Sequence, residues 1–126
     1  MERHLLSFNQ HGLNDHFFSV SALLMPRVIG LNSTSVKFYT ILGISLFAYN
    51  ALSDHRFAFK RYLSLKTHKR IDIANVCLLC AATGLPAFKK NKKQLIFNLG
   101  YSILATANIF FSDWKKEPAH RTHLFI

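Results

Sequence analysis

Acidic residues are scarce in this chain: Asp and Glu together number six, against sixteen Lys and Arg, in 126 residues. Charged residues of both signs make up only 17%, below the roughly 25% of an ordinary soluble domain, which excludes the usual mixed-charge surface. The two cysteines, Cys77 and Cys80, share one apolar stretch, so no disulfide framework is available. Inside such a stretch a lone CxxC reads as packing, its thiols held protonated by their surroundings. A glycine-rich phosphate loop, an HExxH pair and a second CxxC are all missing, so no enzyme and no cofactor are expected. The opening MERHLLSFNQHG has neither the apolar core nor the cleavage site of a signal peptide.

Apolar residues are abundant. Half the chain is hydrophobic and twelve residues are Phe. Three stretches, 36–52, 71–88 and 94–111, carry almost no charge. Each is near the lower limit for crossing ~30 Å of hydrocarbon at 1.5 Å per residue. A fourth, 13–31, is weaker because it contains Asp15, His16 and Arg27.

An internal repeat supports the fourth helix. His11 and Asp15 return 57 residues later as His68 and Asp72, and Leu42-Gly43 returns at the same offset as Leu99-Gly100. Pro26 pairs with Pro86, and Ser53-Asp54 with Ser112-Asp113. Each half reads as a His-Asp pair, an apolar helix, a proline, a basic loop, a second apolar helix and Ser-Asp. Duplication of this kind outweighs local propensity. The expectation is an all-α single membrane domain over residues 1–126. Four transmembrane helices would form two tandem parallel hairpins, about 11–54 and about 68–113, joined by a basic interfacial loop 55–67 and followed by a polar tail 114–126.

The segment LSDHRFAFKRYLSLKTHKRIDIANVCLLCAATGLPAF, with its His-x-x-x-Asp, apolar helix and proline, resembles the SPW-repeat integral membrane proteins of bacteria. The Ser-Pro-Trp itself is replaced by Met25-Pro26-Arg27 and Leu85-Pro86-Ala87. The resemblance covers roughly residues 9–113 and implies a small bacterial inner-membrane protein. It carries no biochemical activity with it.

In this layout all six acids and all seven histidines fall on the side of the termini and the 53–70 loop. The other side holds only Arg27, Lys37, Lys89, Lys90, Lys92 and Lys93. Lys and Arg are more numerous on the first side, which places both termini in the cytoplasm.

The candidate site residues follow from the repeat. His and Asp at i, i+4 share a helix face, and two such helices could bring His11, Asp15, His68 and Asp72 together to bind a metal or relay a proton. The plain alternative places each Asp in a first helical turn, favoured by the macrodipole and paired with its own His. Asp54 and Asp113 form a further polar cluster at helix ends, or cap the segments that follow. Arg56, Phe57, Phe59, Lys60, Arg61 and Tyr62 mix aromatics with bases and suit anionic headgroups. Asn50, Asn98, Thr106 and Asn108 would bond across helices, Gly43 and Gly100 would admit close helix approach, and Trp114 would sit in an aromatic belt.

The expected partners are the lipid bilayer, its anionic headgroups and a second copy or another membrane protein, with no nucleic acid. The leading function is a non-enzymatic structural or accessory membrane protein. The alternative is a small transporter or a metal- or proton-responsive protein that uses the His/Asp cluster.

Overall fold

The computed structural model describes residues 5–114. Four long helices and one short one follow in order: α1 (Phe8–Val28), α2 (Ser33–Ala51), α3 (Leu65–Thr83), α4 (Pro86–Lys89) and α5 (Lys92–Phe110). The helices pack as two hairpins, α1 on α2 and α3 on α5, with α1 also touching α5 and α2 touching α3.

The helix starts are written in the sequence. Ser7 caps α1 in a reciprocal capping box with Gln10, and Ser64 caps α3 through the Thr67 amide. Asn32 and Asn91 cap α2 and α5. Both His-Asp helices therefore begin one turn earlier than the sequence reading placed them, and neither has an acid in its first turn. Asp15 and Asp72 lie too far along for the macrodipole to explain them.

The hairpins are closed by two short β-bridges, Leu6 with Ser112 and Ser53 with Leu63. These are one contact made twice. Leu6 and Leu63 each precede a capping serine, and Ser53 and Ser112 each end a hairpin. The beginning of each hairpin thus holds the end of the other, through Leu6 N–H to Phe111 O and Leu63 N–H to Leu52 O.

Burial sets a different register from the one read in the sequence for the second helices. Ser35, Tyr39, Leu42 and Gly43 of α2 match Gln94, Asn98, Tyr101 and Ser102 of α5, all buried. Gly43 packs against Ser19 and Ala22 of α1, whereas Gly100 faces open space, so only the first glycine admits a close neighbour. Pro26 lies within the last turn of α1, and Pro86 opens α4 rather than ending α3.

The interior is unusually polar. An aromatic and aliphatic cluster of Tyr39, Leu42, Leu79, Phe88 and Tyr101 fills one part. His11, Asp15, Asn50, His68, Asp72, Asn98 and Asn108 are buried as well. Large apolar side chains face outward instead, among them Phe17, Val28, Ile41, Ile103 and Phe110. Cys77 and Cys80 also face outward and do not pack in the core.

No described helix is long and apolar enough to cross a membrane. The reason is local. Buried polar residues and exposed bases both contribute: α3 alone carries Lys66, Lys69, Arg70 and Asp72, with Lys66 and Arg70 exposed.

Candidate functional site

The repeated His-Asp pairs meet. His11 and Asp15 lie one turn apart on α1, and His68 and Asp72 one turn apart on α3, with all four buried. Donor atoms from the four residues lie within 4.8 Å of one another. Each histidine reaches first across the hairpin boundary: His11 Nε2 is 2.8 Å from Asp72 Oδ2, and His68 Nε2 is 2.8 Å from Asp15 Oδ2. The contacts within each helix are longer, at 3.2 Å for His11–Asp15 and 3.3 Å for His68–Asp72. The result is an alternating ring about a local two-fold axis.

An outer layer repeats the symmetry. Ser112 Oγ lies 2.7 Å from His11 Nδ1, and Ser53 Oγ lies 2.6 Å from His68 Nδ1. The β-bridges hold both serines in place. The second oxygen of each carboxylate also has a partner. Asn108 donates to Asp15 Oδ1 at 3.0 Å, and the Tyr49 hydroxyl donates to Asp72 Oδ1 at 2.6 Å. Tyr49 and Asn108 each stand four residues before their serine.

Aromatic rings cover the ring of four. Phe8 stacks on His11 with centroids 5.5 Å apart, and the Trp114 ring meets His11 at 4.6 Å. Trp114 therefore lies over the site, with its indole N–H bonded to Ile109 O. On the inner side a cavity of about 30 Å³ touches Asp15, Asp72, Tyr49 and Asn75. That is room for a water molecule, far below the ~300 Å³ of a small-molecule pocket.

The other sequence candidates fall outside the ring. Of the two Ser-Asp pairs it is the serines that reach the histidines. Asp54 is buried with Arg61 3.8 Å away, and the Asp113 amide bonds Leu6 O. The Arg56–Tyr62 segment belongs to a loop folded back onto α1, through Arg56 N–H to Asn9 Oδ1 and a bond between His16 Nε2 and Phe57 O. Within it Phe57 and Phe59 are exposed. His55, which the sequence reading passed over, is buried beneath this loop, with its Nε2–H directed at Asn50 O, 2.8 Å away.

The expectation for the in-helix amides is met in detail. Asn50 donates to Gly12 O, Asn98 donates to Leu79 O and accepts from the Tyr39 hydroxyl, and Asn108 reaches Asp15. Thr106 instead bonds back within α5, to Ser102 O. The capping signals Ser7-x-x-Gln10 and Ser64 could have extended the repeat one turn earlier. No comparable signal marked Ser53 and Ser112 as partners of the histidines. The two histidines of the tail, His120 and His123, and the rest of residues 115–126 lie outside the described residues.

No protein-family model matches the chain, and neither a curated protein nor a solved structure is significantly similar to it.

Proposed function

We propose that this protein is a non-enzymatic membrane protein, a helical bundle that sits in lipid as an assembled unit and works by binding rather than by catalysis. The observation that carries this reading is the inversion of its burial. Val28 and Phe110 are each 75% exposed, whereas His11, Asn50, His68 and Asn98 are 0% exposed. Apolar area of this extent around a bundle calls for an apolar surrounding. Polar groups already bonded to one another are what hold helices together where water is absent.

No described helix is long and apolar enough to cross alone, so the placement rests on the bundle as a unit, whose buried His11, His68, Asn50 and Asn98 side chains are bonded within it. Helices of 19 residues span about 28 Å. Exposed bases flank the apolar zone at both ends: Arg27, Lys89, Lys90, Lys92 and Lys93 at one, Arg56, Lys60, Lys66 and Arg70 at the other. Such rims suit anionic headgroups. The larger number of Lys and Arg on the side of the termini favours a cytoplasmic placement of both in a bacterial inner membrane.

The test is flotation with vesicles of phosphatidylcholine and phosphatidylglycerol. The protein is expected to rise with the vesicles and to stay with them through high salt and alkaline carbonate. Release by salt alone would mean that the basic rims bind and the apolar surface does not.

A further inference from the structure

We propose that His11, Asp15, His68 and Asp72 form a binding site for one divalent first-row transition-metal ion, with zinc as its representative. The inference does not depend on where the bundle resides.

The outer serines favour one histidine nitrogen over the other for a metal. The Ser53 hydroxyl donates to Tyr49 O at 2.6 Å, and the Ser112 hydroxyl donates to Asn108 O, each four residues back in its own helix. A hydroxyl has one proton to give. With that proton on a carbonyl, each serine can only accept from the imidazole it faces. Nδ1 then carries a hydrogen, and His11 Nδ1 has a second acceptor in Asn108 O at 3.2 Å; each Nε2 bonds an aspartate at 2.8 Å through a proton that an ion would replace. Both Nε2 atoms point into the ring. Fixing one ring nitrogen so that the other can bind is how proteins prepare histidine as a metal ligand.

The carboxylates are prepared in the same way. Asn108 and Tyr49 hold one oxygen of each, which turns both Oδ2 atoms inward. Two imidazole lone pairs and two carboxylate oxygens then converge on one point. The four neighbouring distances are 2.8, 2.8, 3.2 and 3.3 Å. A tetrahedron with bonds of ~2.0–2.1 Å has six edges of about 3.3–3.4 Å, so an ion would open these four contacts by a few tenths of an ångström and draw together the opposite donors, which lie within 4.8 Å of each other.

Charge permits this assignment. Two buried carboxylates need two positive charges nearby, which one divalent ion provides as fully as two imidazolium protons do. Two imidazole nitrogens favour zinc and its first-row neighbours over magnesium or calcium, which take oxygen ligands. Two protons, one on each Nε2, are the competing occupant. Each Nε2 lies close to both Oδ2 atoms, a four-way proximity that a central ion uses in full and a single proton cannot.

Trp114 gives a readout besides affinity, because it is the only tryptophan and its ring lies 4.6 Å from that of His11. Metal-free protein in detergent is titrated with Zn²⁺ by calorimetry and with Co²⁺ by visible absorption and tryptophan fluorescence. One ion per chain is expected, with the absorption of four-coordinate cobalt and quenching of Trp114. His11→Ala/His68→Ala should abolish binding. Ser53→Ala/Ser112→Ala keeps all four ligands and should weaken it about 10–100-fold.

Helix content is followed by circular dichroism throughout. If the histidine variant loses its helices, the serine pair decides, and undiminished affinity there overturns the proposal. Absence of saturable Zn²⁺ and Co²⁺ binding by the wild type overturns it too, as does full binding by a folded double-histidine variant.

Discussion

A Cβ added to Gly12 would fall 2.5 Å from His55 Nδ1 and 2.6 Å from the ring carbon beside it. A rigid imidazole cannot move aside by flexing, so Gly12→Ala should cost about 1–3 kcal/mol through overpacking. Gly100 is also helical but faces open space. Gly100→Ala should stabilise the protein by ~0.5–1 kcal/mol, because only the backbone entropy changes. Thermal unfolding of the two variants in the same detergent checks both signs at once. Nothing in the sequence separates these two glycines, and the Leu-Gly repeat made Gly100 equivalent to Gly43. Burial places Ser102 opposite Gly43 instead, so motif identity was a poorer guide to register than side-chain orientation. The His and Asp residues were legible because their type and spacing repeat together. Ser53 and Ser112 were visible as a repeat, but their adjoining acids drew the chemical reading away from them.

The loop between α2 and α3 carries a titration of its own. Burial lowers the pKa of His55 to about 4. The geometry agrees with a neutral ring, since its Nδ1 accepts from the Phe57 amide at 3.1 Å. An unfolded histidine takes up its proton near pH ~6.5. The folded loop therefore excludes a proton that the unfolded chain binds. This contribution to stability is complete above pH ~6.5 and is lost as the pH falls toward about 4. The unfolding midpoint should drop across that window, and His55→Gln should flatten the drop. Equal slopes for the two proteins would remove His55 as the cause. The sequence reading took this loop as a lipid-facing strip of aromatics and bases. Its exposed Phe57 and Phe59 fit that description, whereas the histidine beneath them is distinguished only by what folds over it.

Two hairpins in tandem, each with a His-Asp helix followed by a second apolar helix, were evident from the repeat alone. What the repeat could not supply was the crossing-over. Each histidine bonds first to the aspartate of the other hairpin, and each hairpin's opening residue pairs with the other's closing serine. If the chain is cut between Arg56 and Phe59, clear of the Ser53–Leu63 bridge, the two fragments should associate when coexpressed and co-purify through one affinity tag. Two fragments that fold and elute separately would show that the hairpins stand alone. The same crossing-over bears on origin. A single hairpin with this pattern would carry half a ring and one free strand end, and only a second copy of itself would complete both. The present chain is thus equivalent to a homodimer joined head to tail, whose halves differ outside the centre: Tyr49 stands in one half where Asn108 stands in the other, and Tyr39 where Asn98 does, while each half gives one His and one Asp to the ring.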